Sequence, residues 1–286
     1  MEDNYMTNKN MKDLDYSKLV GILRERNKPS GGLNSIVEVL KSCNLQKGAN
    51  ILEIGSNTGF TSVNLALLNR ELLIKGIDIN RDSILEARDF AEKNLVSDRV
   101  TFDIQNSEKL SFSDNSFELV WCSNVTSFIN NKTNAINEYL RVLSYEGFLV
   151  VIPIYYINRP SKVLLDDVSK AINTKVEYRS KKDWLDLFYQ VSEDIENSYL
   201  QVIYEKDFVY DTQSEERINE YCEEVLKKSK LKTTDQEEKH IFEKYKEYMN
   251  LFNENLKYCG YSIIIFQKRR TKDESELFLS REVVSK

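Results

Sequence analysis

Two acids and two glycines, at the spacing of successive strand ends, are the residues of this chain best suited to chemistry. The run Glu53-Ile54-Gly55-Ser56-Asn57-Thr58-Gly59 follows the apolar residues Ile51 and Leu52. A strand that ends in a glycine turn and feeds a helix brings backbone amides close to a nucleotide-like ligand. Glycine at 55 and 59 permits a tight turn. Asn57 stands where a third glycine is expected, and Asn tolerates left-handed φ better than most residues. This reading requires a positive φ at Asn57. Ser56, Thr58 and the helix-start amides are donors for a carboxylate or phosphate. The Glu53 carboxylate is an acceptor for an ammonium group. Asp78, in Gly76-Ile77-Asp78-Ile79, ends the next strand, where an acid can accept both hydroxyls of a ribose.

Other nucleotide sites fit poorly. The dinucleotide fingerprint GxGxxG is not met, because the chain reads Gly55, Asn57, Phe60. No Gly-Lys-Ser/Thr loop occurs, and Glu53 would repel a pyrophosphate. A cationic, adenosine-containing ligand suits these residues better than NAD or ATP.

The elements that position them alternate. Apolar runs predict strands at 50–54, 72–77, 99–104, 117–122 and 147–153, and helical spacing predicts helices at 59–69, 81–94 and 131–143. Strands separated by helices imply parallel βαβ units and an α/β three-layer sandwich. Two N-terminal helices are expected within 13–42, broken at Pro29-Ser30-Gly31-Gly32. Later helices run through Val163–Ile172 and Trp184–Phe188, with strands at 198–204 and 261–267. Between those strands, about 210–258, lies a helical insertion. Its stripes are Ile218, Tyr221, Cys222, Val225 and then Phe242, Tyr245, Met249, Phe252, Leu256. Thr233-Thr234-Asp235 with Glu237 or Glu238 starts its second helix. We expect one domain over 1–268 and a polar tail at 269–286.

The bulk numbers narrow the partners. With 286 residues, 41% of them hydrophobic, the chain has ample core. A net charge of -6 offers no general basic face for nucleic acid. No apolar run spans a bilayer, and the opening MEDNYMTNKN lacks the apolar core of a signal peptide. Cys43, Cys122, Cys222 and Cys259 lack metal-ligand spacing, and His240 is the single histidine. The expectation is a cytoplasmic protein with reduced thiols, no metal, and His240 solvated on a charged helix.

Five motifs in order, over roughly residues 30–155, resemble class I S-adenosylmethionine-dependent methyltransferases. Glu53–Gly59 resembles the acidic-x-Gly-x-Gly-x-Gly motif with Asn57 replacing a glycine. Gly76–Asn80 resembles the second strand with its ribose-binding acid. Gln105–Phe112 is similar to the GDAxxLPF segment, with Asn106 at the adenine-contacting position, its carbonyl the acceptor. Ser116–Val120 resembles the FDxV entry to the fourth strand. Arg141–Phe148 resembles RVLKPGGxL, with Glu146-Gly147 for Gly-Gly.

The resemblance implies a mostly parallel seven-stranded sheet of order 3-2-1-4-5-7-6 with the last strand antiparallel. It implies S-adenosyl-L-methionine as cofactor and S-adenosyl-L-homocysteine as product. The cofactor residues implied are Glu53, Gly55, Ser56, Asn57, Gly59, Asp78, Ile79, Asn106, Ser107, Ser123 and Asn124. Ser123, Asn124 and Thr126, after the fourth strand, would face the methyl group. The Asn/Asp-Pro-Pro-Tyr and Pro-Cys signatures of nucleic-acid enzymes are missing there, which points to a small-molecule acceptor. Asn124, Tyr155 and Tyr16 are the catalytic candidates. Tyr156 would edge the pocket beside Tyr155, and Trp184 would close over it with Tyr16. The insertion is read as an acceptor lid or a dimer contact. Aminopropyl transfer or cyclisation on the same cofactor, and a non-catalytic binding protein on the same fold, stand as alternatives.

Overall fold

A computed structural model describes residues 16–23, 25–195, 198–229, 231 and 233–271. The expected helical residues 13–15 and the tail after Thr271 lie outside the described residues. Five strands run parallel: β1 (Asn50–Ile54), β2 (Leu73–Asp78), β3 (Val100–Ile104), β4 (Phe117–Ser123) and β5 (Leu143–Ile152). Their order is β3-β2-β1-β4-β5. Three more follow: β6 (Ile154–Tyr156), β7 (Tyr199–Val209) and β8 (Cys259–Arg269). β8 lies antiparallel to β5, β6 and β7.

The expected order 3-2-1-4-5-7-6 is realised when β5 and β6 are taken as one interrupted strand along β8. The eighth strand arises at Pro153. Proline has no amide hydrogen and interrupts the ladder, while its carbonyl still accepts the Ser262 amide at 3.4 Å. The last strand runs from Cys259 to Arg269, longer at both ends than expected, because β7 pairs with it from Gly260 to Arg269.

Alternation along β1 builds both core faces. Ile51 packs with α2 (Gly32–Ser42), α3 (Phe60–Leu68) and α4 (Arg81–Lys93) through Ile36, Val63, Leu65 and Ile84. Leu52 and Ile54 point the other way, toward α5 (Lys132–Val142) and α7 (Lys181–Glu193), meeting Ile136, Tyr139 and Phe188. Strands buried on both faces read as continuous apolar runs, which is why they were legible.

A third cluster stands apart from these layers. α1 (Tyr16–Leu23), α6 (Lys162–Ala171), α8 (Glu215–Ser229) and α9 (Asp235–Leu256) bury Leu19, Leu23, Ala171, Ile218, Cys222, Ile241 and Tyr245 together. The segment between β7 and β8, residues 210–258, carries α8 and α9. Its α9 opens on a capping box: Thr234 Oγ1 accepts the Glu237 amide and the Glu237 carboxylate accepts the Thr234 amide. The Glu25 carboxylate accepts the Tyr221 and Tyr245 hydroxyls, tying the end of α1 to both insertion helices. The apolar stripes of α8 and α9 are thus consumed within the chain. Among the described residues no helix is long and apolar enough to cross a membrane.

Candidate active site

The turn after β1 is left-handed at three positions: φ is 70° at Gly55, 45° at Asn57 and 82° at Gly59. Asn57 therefore takes the conformation its replacement of glycine demanded. Its side-chain Oδ1 accepts the Thr58 amide at 2.7 Å, a local bond that offsets part of the strain. The two glycines are fixed by neighbours as well as by φ. A Cβ on Gly55 would lie 2.5 Å from Val125 Cγ2, and one on Gly59 would lie 2.9 Å from Phe102 Cζ and 3.0 Å from Ala87 Cβ. Gly76 on β2 gives the same clearance below: a Cβ there would meet Phe102 at 2.5 Å and Ser56 Cβ at 2.8 Å.

Glu53 is 4% exposed. One oxygen accepts both the Ser62 amide (3.0 Å) and the Ser62 hydroxyl, in the first turn of α3. Burial pushes this carboxyl up to about 7, against the lowering effect of Ser62 and Thr61, and the Asp78 charge adds to the rise. The structure thus sets two acids close enough to repel, with one of them desolvated.

Asp78 is half-buried at the end of β2. Its Oδ2 accepts the Asn57 amide and its Oδ1 the Asn80 amide, both at 2.9 Å. Each oxygen keeps a lone pair for a further donor. Ile79 follows, 74% exposed, and Ile104, paired in register with Asp78 at the end of β3, is 51% exposed. These are apolar surfaces beside a polar clamp, the usual make-up of a small-molecule site.

Within the turn, Ser56 Oγ and Thr58 Oγ1 are buried and make no hydrogen bond inside the protein. Such orphans are uncommon in native folds and call for a reason. Asn106 is exposed, and its Oδ1 accepts the Glu108 amide at 2.9 Å. The carbonyl expected to serve a ligand is already engaged locally, so the amide nitrogen is its freer end. Ser107 is buried beside Tyr139, near Cys122 and Thr126, whose Sγ and Oγ1 are 2.9 Å apart.

After β4, Ser123 and Asn124 are half-buried, and Asn124 adopts φ 53° before a 3-10 turn at Val125–Phe128. Asn124 Oδ1 accepts the Ser127 hydroxyl at 2.9 Å and the Ile154 amide at 3.5 Å, joining this turn to β6. Tyr155, next in β6, is buried with its hydroxyl 2.9 Å from Ser262 Oγ, which donates to Asp207. Tyr156 donates to Asn255 of α9 at 3.0 Å and stacks on Tyr178. Tyr16 lies in the helical cluster, edge-on to Phe252 and Tyr248. Trp184 corrects an expectation: it is 4% exposed in the core among Phe188 and Val191, so it closes over nothing. His240 is exposed on α9, and the four cysteines are buried and free.

Sequence reading missed three residues that shape the turn. Ser62 holds Glu53, Val125 fills the space above Gly55, and Phe102 fits under Gly59 and Gly76. Ser62 carried a weak signal, a hydroxyl in the first turn of a predicted helix. The other two are ordinary apolar positions until the strands are aligned.

Comparison with known proteins agrees with this geometry. The profile of the methyltransferase domain family matches residues 45–255. The 27-O-demethylrifamycin SV methyltransferase of Amycolatopsis mediterranei (strain S699) is 30% identical over 107 residues, 37% of this chain and 39% of that enzyme. The chain spans between 39% and 64% of the length of the curated relatives it matches. Among solved structures, the MccD protein superposes with a TM-score of 0.70 at 22% identity, over 85% of this chain and all of that one. A SAM-dependent methyltransferase from Geobacter sulfurreducens, in complex with S-adenosyl-L-homocysteine, gives 0.65 at 17% identity, over 90% and 100%. At these identities the structures speak for the fold alone. The family profile covers most of the chain, and on that ground the chain belongs to the methyltransferase domain family, built on the Rossmann-like class I fold.

Proposed function

We propose that this chain binds S-adenosyl-L-methionine in the cleft at the ends of β1 and β2 and transfers its methyl group to a small-molecule acceptor. The observation that carries the reading is the pairing of Glu53 and Asp78 across one glycine turn. Two repelling acids, one desolvated, suit a ligand that brings positive charge, and a ligand with an ammonium and a sulfonium does so. The fit extends further. Asp78 keeps lone pairs for ribose hydroxyls, Ile79 and Ile104 offer apolar surface for an adenine, and the unpartnered hydroxyls of Ser56 and Thr58 await donors or acceptors. Gly55, Asn57 and Gly59 keep the backbone slim beneath it. Asn106, Ser107, Ser123 and Asn124 complete the rim.

The bound cofactor supplies an electrophilic methyl on a cationic sulfur. This chain's residues have the simpler work of holding, orienting and excluding water. No histidine stands at the rim, so an acceptor that needs a base must rely on Tyr155 or its own ionisation, with Asn124 able only to orient it. The α8–α9 insertion, anchored to β6 through Asn255 and Tyr156, reads as a lid over the acceptor side. A contact between two copies is the rival role.

The test has two stages. Calorimetry with S-adenosyl-L-homocysteine should show saturable binding, and no binding would remove the cofactor from this reading. Labelled methyl should then pass from S-adenosyl-L-methionine into a component of the native host's small-molecule extract. Methylthioadenosine as product would instead assign aminopropyl chemistry. Binding without turnover of any kind would assign a regulatory role.

A further inference from the structure

A second cluster on the same edge of the sheet belongs to none of the residues above. The chain leaves β4 at Ser123, passes the 3-10 turn, and begins α5 at Lys132. There a shallow cavity, wide open to solvent and of about 540 Å³, is lined by Asn131, Lys132, Glu177, Arg179 and Leu187, among others. Two cations and one acid face it, in a chain whose net charge is -6. Glu177 is the shared counterion: Arg179 donates to it at 3.0 and 3.2 Å. Lys132 Nζ is left with a neutral acceptor, the Ile129 carbonyl at 2.9 Å.

Like charges set beside one another need a reason. Burial and the Arg179 charge both lower the Lys132 ammonium from its ordinary value, and Glu177 compensates in part. Two further acids, Asp183 and Glu108, stand close by but outside the cavity lining. Asp183 takes the Ser180 amide and hydroxyl in the capping box of α7. The residues that line the cavity thus carry two positive charges against one negative.

The cavity is coupled to the candidate cofactor rim. The Asn131 amide donates to Glu108 at 3.3 Å, and the Glu108 amide donates to Asn106 at 2.9 Å. Its far wall is held by β6, since the Tyr156 amide donates to the Arg179 carbonyl at 2.9 Å. Exposed aromatic surface lies close by in sequence on each side, Phe128 at 48% and Tyr178 at 43%.

We infer that this cavity is a subsite for an oxyanion, a carboxylate or phosphate group carried by the methyl acceptor, held between Lys132 and Arg179. The assignment to the acceptor rests on the methyltransferase reading; the anion site itself does not. With its Nε and Nη2 edge held by Glu177, Arg179 keeps Nη1 for a ligand, and Lys132 adds a point charge, a pairing that suits either oxyanion.

The structure supplies its own reporter. The Arg179 guanidinium carbon lies 5.4 Å from the centre of the Trp184 ring, so occupancy should perturb Trp184 emission. The experiment titrates the full chain, loaded with S-adenosyl-L-homocysteine, with inorganic phosphate and separately with acetate. Ionic strength is held constant with chloride. The expected result is a saturable fluorescence change for at least one of them. It should weaken by about tenfold or more in Lys132→Gln, the loss of one charged hydrogen bond, and persist in Lys132→Arg. Saturation by phosphate alone identifies a phosphorylated acceptor, and saturation by acetate a carboxylate. A linear response equal to that of chloride, or one unchanged in Lys132→Gln, overturns the subsite. Calorimetry of S-adenosyl-L-homocysteine runs in parallel. If it fails to bind while phosphate saturates on the unloaded chain, the methyltransferase reading falls and the anion site stands.

Discussion

Asp78 Oδ2 accepts the Asn57 amide at 2.9 Å, so the acid that ends β2 also holds the turn that ends β1. One carboxylate therefore has two duties, to shape the loop and to meet a ligand. We expect Asp78→Ala to weaken S-adenosyl-L-homocysteine binding by about 1–3 kcal/mol, the usual loss of a charged hydrogen-bond partner. The same variant should melt earlier, because the Asn57 and Asn80 amides both lose an acceptor. Calorimetry and a melting curve separate the two. Unchanged affinity in a folded variant would mean that Asp78 is structural only.

Asn57 gives a cleaner test of the backbone. At φ 45° it is one of six non-glycine residues with positive φ among those described. Glycine there removes the strain but forfeits the bond from the Thr58 amide, so Asn57→Gly should shift stability by less than about 1 kcal/mol. A β-branched side chain has no such tolerance, and Asn57→Val should cost roughly 1–3 kcal/mol. Equal melting temperatures for the two variants would contradict the turn described here.

What the sequence revealed and what it hid follow one rule: local physics was legible and long-range contact was not. Asn57 announced a left-handed turn because few other side chains adopt one. Thr234 and Glu237 announced a helix start three residues apart. Both faces of β1 were readable because strands buried on two sides leave an unbroken apolar run. Pro153 was visible in the sequence, but the sequence does not show that the chain rejoins β8 immediately after it. Trp184 shares its helical spacing with Phe188, but that spacing does not say whether an apolar face meets the core or closes a pocket. Lys132 and Arg179 are far apart in the chain, and only α5 and the segment before α7 bring them to one cavity.

Val125 and Gly55 form a coupled pair. A Cβ at residue 55 would lie 2.5 Å from Val125 Cγ2 and 2.8 Å from its Cβ. Gly55→Ala should therefore cost about 1–3 kcal/mol from overpacking, with a further penalty for its φ of 70°. Adding Val125→Ala removes the nearest methyl and should restore part of the loss. A double-mutant cycle should show a coupling of about 0.5–2 kcal/mol. Strict additivity would mean that the backbone alone demands glycine there.

Glu146 occupies a position where the related motif has glycine. Its φ is 63°, and the neighbouring Gly147 has its own constraint, since a Cβ there would lie 2.8 Å from the Ser144 carbonyl. Glu146 is kept in place by Arg269 at 2.7 Å, an exposed pair of small value. Glu146→Gly should therefore stabilise the chain, by up to about 1 kcal/mol. Chemical denaturation measures it, and a clear loss of stability would show that the ion pair outweighs the strain.

The buried Glu53 makes stability depend on pH in an unusual direction. Its carboxyl is pushed up to about 7 in the folded chain, from an ordinary value of 4.5, chiefly by burial. Between those two values the folded state holds a proton that the unfolded chain has released. Stability therefore falls as pH rises through this window and levels off above it. At about 1.4 kcal/mol per unit the full effect is on the order of 3 kcal/mol. In Glu53→Gln the group cannot ionise, so the fall in melting temperature from pH 5 to 8 should shrink. Ligand binding should move the other way. A ligand that brings an ammonium favours the ionised carboxylate, so affinity for S-adenosyl-L-homocysteine should rise with pH up to about 7 and level off above it. That rise should vanish in Glu53→Gln, which should also bind more weakly at pH 8 than the parent chain. Parallel melting profiles for the two proteins would show that Glu53 ionises as readily in the folded chain as in the unfolded one, and parallel calorimetric profiles that it never meets the ligand's charge.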